Sequence, residues 1–479
     1  MSAASPTFER EKLDTHAKAL RVNIDARRYG TFAEIGAGQE VVRWFFRVGG
    51  AASTIAKSMS AYDMAVSDAV YGNTERYVSR RRLESMLEHE HSLNVERLAE
   101  GRGDTTSFFA FADTVSARNF KGTNECHGWM GVRFQVYPRD QNSQIIIHVR
   151  MLDTENILQQ EALGIVGVNL LYGAFFLHHE PEQLVESLLD SLTTRRVEID
   201  MIEFSGIGFR GVDNRLMSLK LVQLGLSGAA MFDASGAVLQ PSEVFYKRPA
   251  IIERGSFRPV THVNLDMLRC AKEKFAETLP PDDRDKIVPV MEITMRNLMS
   301  ASASGADRKD FLARADVLAA CGMTVLISDY SEYYRLAAYL RAFNPRALAL
   351  VMGRPSLSEL FEPKYYEHLD GGILESFGRL FQRDLKLYVY PSLDRETGEI
   401  KTAELLELSP DLQQLYEYLQ IKDWIVSLQD YKREYLTIWS REVLKRIEKS
   451  ESGWEESVPD EVAEIIKQRG LFGWNRHRR

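Results

Sequence analysis

The sequence predicts an α/β protein. A mixed α+β N-terminal region precedes a parallel-sheet, nucleotide-binding-type region, and a helical C-terminal extension follows. Three observations carry this reading. From Pro249 to Tyr390, short apolar strands alternate with helical patterns of about ten to fifteen residues, the rhythm of a parallel sheet covered on both faces. Before that, strand-like runs flank polar turns as hairpins do. Beyond Glu404 the chain is charged and helical. At 479 residues it is too long for one small core, and we expect a polar arm over 1–29, a mixed region over 30–248, an α/β region over 249–400 and the extension over 401–479.

Taken in order, Glu9 to Leu20 reads as helix within the polar arm, and Gly36 to Gly72 is punctuated by glycine. Arg76 to Leu98 places Leu83, Met86, Leu87 and Leu93 on one side of a charged helix. Ser107–Phe111, Gly131–Val136 and Gln144–Met151 alternate as strands, the last two around the turn Pro138–Ser143. Ala162 to Leu177 is the most apolar stretch. It falls short of the roughly 18–20 residues a bilayer requires, and Asn169 interrupts it, so it predicts a buried core helix. Helix Glu182–Leu192, strand Arg196–Phe204, helix Asp213–Leu224 and strand Ala229–Phe232 follow. The regular region then gives strands at 250–253, 287–293, 324–328, 347–352 and 386–390. Helices at 265–277, 310–321, 332–343 and 372–383 lie between them, and Ser300–Gly305 is a small-residue connection.

Net charge −8 and a pI near 5.8 disfavour a role on duplex nucleic acid. Cys126, Cys270 and Cys321 are scattered, and Met1 to Arg28 has no apolar signal core, so reduced thiols and a cytoplasmic location are expected. No membrane partner is expected. Trp424, Ile425, Leu428, Tyr435, Leu436, Ile438 and Trp439 concentrate apolar surface in the extension, which suggests a homo-oligomer.

Gly50 to Ser58 ends in Lys57-Ser58 but has Ala51 and Ala56 where a phosphate loop requires glycine, which excludes that motif. Cys126-His127 are strand neighbours whose side chains point to opposite faces and cannot readily share a proton. His178-His179-Glu180 lacks a third ligand at helical spacing, so no metal site is expected. Gly206, Gly208 and Gly211 spell GxGxxG between a strand and a helical pattern, and Asp233 lies about twenty positions further on. That is the spacing at which glycines admit a pyrophosphate and an acid holds a ribose, giving an NAD(P)-binding oxidoreductase as one alternative.

Arg254 to Leu265 runs from a strand into a helix. Its Gly255, Ser256, Phe257, Pro259, Thr261 and Leu265 resemble the phosphate-binding signature of the nucleotidylyltransferases, in particular the nicotinamide and nicotinate mononucleotide adenylyltransferases. Asn264 stands where that family has a histidine, His262 lies two positions early, and the family's second signature has no clean copy. The whole chain also resembles an uncharacterised bacterial family whose members carry that adenylyltransferase label or a TonB-dependent receptor label. A series of alternating membrane strands, which the receptor label requires, is not visible.

The resemblance implies adenylyl transfer from ATP, with Mg²⁺, to a nicotinamide-type mononucleotide. It casts His262 and Asn264 as charge-stabilising donors and Gly255, Ser256, Phe257 and Thr261 as the phosphate turn. Gly353-Arg354 and Asp329, directly after strands, fall at the carboxyl edge where ligands of parallel sheets collect. A non-catalytic nucleotide-sensing or self-assembling protein is the other alternative.

Overall fold

The computed structural model describes residues 11–122, 124–299 and 308–475. The chain is α/β and divides into two compact units, Met1–Ser227 and Gly228–Arg479, each with its own sheet and apolar core.

The first unit holds β1 (Arg28–Gly36), β2 (Ile55–Met59), β3 (Ser107–Ser116), β4 (His127–Gln135), β5 (Asn142–Met151) and β6 (Val197–Gly206), in the order β2-β1-β3-β4-β5-β6. β1 runs parallel to β2 and β3, and from β3 to β6 each neighbour is antiparallel. Both faces are covered. Met130, Val132 and Phe134 of β4 join the core shared with helix Asn156–Phe176. Gly131, pointing the other way, lies against Leu83 and Leu87 of helix Arg80–Arg102.

Helix Asn156–Phe176 is the predicted core helix: every residue from Ala162 to Phe175 is buried. Among the described residues, no helix is long and apolar enough to cross a membrane. Asn169 has a structural use. Its Oδ1 accepts from Lys18 Nζ at 2.7 Å, and its Nδ2 donates to the carbonyls of Leu188 and Asp190. Lys18, fully buried, also pairs with the Asp190 carboxylate at 2.7 Å. This corrects the expected polar arm. Helix Thr15–Asn23 turns Ala19, Val22 and the Lys18 stem into the core, because a buried ammonium with matched partners is tolerated where an unpaired one is not.

The second unit is built on an eight-stranded sheet. Its strands are β7 (Ala229–Phe232), β8 (Val238–Leu239), β9 (Pro249–Arg254), β10 (Val288–Thr294), β11 (Thr324–Ser328), β12 (Ala347–Gly353), β13 (Lys386–Tyr390) and a distant strand from the extension. A separate ribbon pairs β14 (Ser392–Leu393) with β15 (Ile400–Lys401), and the distant strand is β16 (Ile425–Ser427). The order is β16-β13-β12-β9-β10-β11-β7-β8, parallel from β16 to β11, with β7 and β8 antiparallel at one edge. The parallel set starts at β9 in the middle, winds outward through β10 and β11, then crosses back to β12, β13 and β16. That is the doubly wound order 3-2-1-4-5-6.

Several expectations are revised by this pairing. The units divide ahead of β7, not near residue 248, because Ala229–Phe232 pairs with β11. Two strands have no counterpart in the sequence expectations: β1, just ahead of the glycine-punctuated stretch, and β2 within it. The extension is not wholly helical: β16 adds to the sheet beside β13. The tail's apolar residues pack within their own unit. Trp424 stacks on Phe381 with centroids 5.4 Å apart, and Ile425, Leu428 and Leu436 are buried. Of the residues on which self-association was expected, Ile425, Leu428 and Leu436 are thus used inside the unit, while Trp424, Tyr435, Ile438 and Trp439 stay half-buried. The small-residue connection Ser300–Gly305 lies outside the described residues.

Candidate functional site

In a doubly wound sheet the crevice opens beyond the carboxyl ends of the strands where the winding reverses, here β9 and β12. A cavity of about 480 Å³ lies at that edge of the second unit. Gly255 and Ser256 follow β9 into it, Arg296 and Asn297 follow β10, and Ser331, Glu332 and Tyr333 follow β11. Ser356 and Glu359 come from the helix after β12, Tyr365 from the next turn, and Arg441 from helix Ser440–Glu448.

The floor is tied by a buried ion pair. Arg254 Nε donates to Glu292 Oε2 at 2.8 Å and its Nη2 to Oε1 at 2.9 Å. Two further donors reach the carbonyls of Tyr330 and Ser331, fixing the loop after β11. Ser328 Oγ donates to Glu292 as well. Arg254 thus has four of its five N–H donors engaged and positions the site. Arg296 and Arg441 differ: both are exposed, and neither has a carboxylate partner among the described residues. Arg296 lies over the Tyr365 ring, 5.9 Å from its centroid.

The turn after β9 is held from within. Phe257 takes a positive φ of 46° and buries its ring, which packs directly on Gly255: a Cβ there would stand 2.7 Å from ring carbons. Only glycine permits that approach. Thr261 caps helix His262–Glu277 in a capping box with Asn264, whose Oδ1 accepts from Thr261 N at 3.0 Å. The Asn264 amide donates to Glu253 Oε1 at 2.9 Å. Glu253 is fully buried, its other oxygen has no hydrogen-bond partner, and burial pushes its carboxyl up to about 8.

The structure therefore separates the residues expected to act together. Gly255 and Ser256 line the cavity. Phe257 and Thr261 support the turn from beneath. Asn264 is a cap, and His262 stacks on Tyr435 with centroids 5.0 Å apart and planes 10° off parallel. Neither is among the cavity-lining residues. Arg354 donates to the carbonyls of Thr402 and Leu405, so it ties the chain after β15 instead of facing a ligand. Gly353 caps the helix that follows β12, and Asp329 is exposed outside the cavity lining. Asn264→Ala breaks the capping box and leaves a buried carboxyl oxygen of Glu253 unpaired. We expect a loss of about 2 kcal/mol in the second unit, measured by urea unfolding.

The glycine motif in the first unit takes a different form from a dinucleotide loop. It follows β6, which is antiparallel to β5 and lies at the sheet edge. Gly206, at φ 91°, is needed because a Cβ would meet Asn142 O at 2.2 Å. Gly208 N donates to Ser143 Oγ at 2.9 Å, and Gly211 has open space around it. The following helix is already capped by Asp213, which accepts from Arg215 N. Asp233 belongs to the second unit, where it accepts from Ser235 N and Ala237 N in the β7–β8 turn. The Gly208 amide, which a pyrophosphate would need, is spent on the protein. The strand's acids, a warning in the sequence, are likewise partnered: Asp200 meets His148 at 2.6 Å, and Glu203 pairs with Arg80. Cys126 and His127 do part company, His127 Nδ1 lying 2.9 Å from His148 Nε2. Among the described residues no cluster of three His, Cys, Asp or Glu could hold a metal.

Sequence reasoning did not pick Arg296, Arg441, Glu332, Glu359 or Tyr365. The rule that selected Arg354, a cation just beyond a parallel strand, applies equally to Arg296 after β10. Arg441 carries no such signal, because only folding brings its helix to this edge.

No family model and no curated protein matches the chain. Among solved structures, it is similar to the competence/damage-inducible protein CihA from Agrobacterium tumefaciens at 14% identity. That match covers 34% of this chain and 93% of the other, with a TM-score of 0.22. It is similar to a CinA-superfamily protein from Klebsiella pneumoniae at 16% identity, covering 34% and 95%, with a TM-score of 0.24. A Vibrio parahaemolyticus protein described as a nicotinate-nucleotide adenylyltransferase matches at 11% identity, covering 48% and 97%, with a TM-score of 0.25. Likeness at this level carries no functional argument.

Proposed function

We propose that the second unit binds a phosphate-bearing nucleotide in the cavity at the carboxyl edge of β9 to β12. The observation that carries this reading is the convergence of Arg296 and Arg441, two guanidinium groups without a carboxylate partner among the described residues, at the point where the winding reverses. A cavity of about 480 Å³ suits a mononucleotide. Tyr365 offers a ring face, and Glu332 and Glu359 offer carboxylates to ribose hydroxyls or to a Mg²⁺ carried in on the phosphates.

Binding and sensing is the better-supported form of the proposal, because His262 and Asn264 are engaged elsewhere. Adenylyl transfer to a nicotinamide-type mononucleotide is the second form. It is favoured by Gly255 and Ser256 lining the cavity, with Arg296 and Arg441 neutralising charge in place of the imidazole. Calorimetry with ATP and Mg²⁺ tests both. Arg296→Ala and Arg441→Ala should each weaken binding about tenfold, the scale of one lost charge-assisted hydrogen bond. Dinucleotide and pyrophosphate formed from ATP and either mononucleotide would establish transfer, and binding without product would establish sensing. Unchanged affinity in both variants would overturn the site.

A further inference from the structure

Three side chains of the first unit form one hydrogen-bonded chain across neighbouring strands. Asp200 Oδ1 lies 2.6 Å from His148 Nδ1, and His148 Nε2 lies 2.9 Å from His127 Nδ1. Asp200 and His148 are fully buried, and Trp129 packs on the His148 ring with centroids 4.8 Å apart. Asp200 sits in a β-bulge. His148 pairs with Met201 and Val149 with Ile199, so Asp200 is the extra residue between them. A bulge re-aims a side chain, and bulges recur beside active sites. His127 opens β4 at the end of the sheet, half-buried, opposite Ser116 of β3 and Arg150 of β5.

Acid–base chemistry fixes the protons. Between a carboxyl and an imidazole the ring is the stronger base, so the proton they share rests on His148 Nδ1. That leaves His148 Nε2 an acceptor, and the proton between the two rings sits on His127 Nδ1. His127 Nε2 is then the bare end of the chain. It has no hydrogen-bond partner among the described residues, and it is not one of their enclosed nitrogens, so a reactant can reach it. Burial, and after it the His148 ring, hold His127 down to about 4, which keeps Nε2 unprotonated at pH 7.

A nucleophile, a base within hydrogen-bond reach and a third group that orients the base make the arrangement used in covalent catalysis. We propose that His127 Nε2 is the nucleophile of a second site, in the first unit, that takes up an uncharged, activated acyl group. Nε2 forms the bond to the acyl carbon, and the bond from that carbon to its leaving oxygen breaks, the electron pair going with the oxygen. The Nδ1 proton passes to His148 Nε2, so the acyl-imidazole is neutral and the positive charge rests on the ring that faces Asp200. Water then adds its hydroxyl to the acyl carbon and gives its other proton to the departed oxygen, and His148 returns the Nδ1 proton to His127. Charge argues against a phosphoryl group. Arg150, the cross-strand neighbour, is taken by Glu198 at 2.7 Å with Glu125 also near it, and Arg76, the other cation acting on His127, is itself engaged.

The probe is diethyl pyrocarbonate, a small uncharged acyl donor, added to the full chain at pH 7 and followed by peptide mass spectrometry. His127 should be carbethoxylated ahead of His179, whose ring is exposed. Asp200→Asn presents an amide that donates to His148 Nδ1. The His148 proton then moves to Nε2, and His127 holds its own proton on its Nε2, where it blocks the lone pair. Reaction at His127 should slow about a hundredfold, part of the ~10⁴ that the same change costs a serine-protease triad through the wrong tautomer. Cys126→Ser, next in sequence but on the other face of the strand, should leave the reaction unchanged. Nitrogen-15 NMR of the wild-type chain at pH 7 reads the tautomer directly and should show His127 protonated on Nδ1 alone, which keeps the test available if the Asp200 variant fails to fold. A proton on His127 Nε2, modification of His127 no sooner than of His179, or an unchanged rate in Asp200→Asn would each overturn the assignment.

Discussion

Glu292→Ala should destabilise the second unit by about 3–5 kcal/mol, because it strands a buried guanidinium. Arg254 keeps its place by giving two hydrogen bonds to that carboxylate, which has no water to fall back on. Glu292 is fully buried, and its removal also leaves the Ser328 hydroxyl without its acceptor. Urea unfolding followed by tryptophan fluorescence reports mainly on this unit, which holds Trp424, Trp439, Trp454 and Trp474. Replacing both partners, Arg254→Met with Glu292→Leu, should recover most of the loss, since an apolar pair of similar volume leaves no orphan charge. A loss below about 1 kcal/mol for Glu292→Ala would show that water reaches the pair.

The second large effect depends on pH. Glu253 is fully buried and Glu34 nearly so, and burial pushes each carboxyl from 4.5 up to about 8. In the folded chain both are neutral where the unfolded chain has ionised them, so folding takes up a proton. The stability they allow is fully present below about pH 4.5 and is lost as pH climbs towards 8. The slope is about 1.4 kcal/mol per pH unit for each group. Glu253→Gln keeps an oxygen to accept from Asn264 and removes the titration. The variant should match wild type near pH 5 and exceed it by about 2–4 kcal/mol at pH 8 in the second unit. A constant difference across that range would mean that Glu253 is ionised throughout. In the first unit Glu34 accepts from the amides of Val41 and Val42 and stands cross-strand from the buried Asp113, whose carboxyl burial and then the Glu34 charge push well up.

The parallel region was legible because its strands are buried on both faces. Continuous apolar runs such as Ala250–Ile252 and Val325–Ile327 have no other use between amphipathic helices. The core helix Asn156–Phe176 was legible for the same reason, and its one polar break, Asn169, could be located but not explained. Its partner Lys18 lies far away in sequence, in a segment whose charge suggested solvent. β1 escaped notice because Arg28, Thr31 and Glu34 leave it no continuous apolar run. β16 escaped because three residues are too few to show alternation.

The candidate site divides along the same line. The turn at Gly255 to Thr261 was visible, since glycine, proline and a capping threonine act on their own neighbours. By itself the sequence determined the class of fold, most of the alternating elements and this turn, all of which follow from interactions within about a dozen residues. Only the tertiary structure decided that Asn264 closes a helix, that His262 stacks on Tyr435 and that Arg354 holds the chain after β15. It alone brings Arg296 and Arg441 to one cavity. The physical reason is that a side chain's partner is set by which strands pair and which helices cross. That choice is made by burying the whole core at once, and no local pattern encodes it.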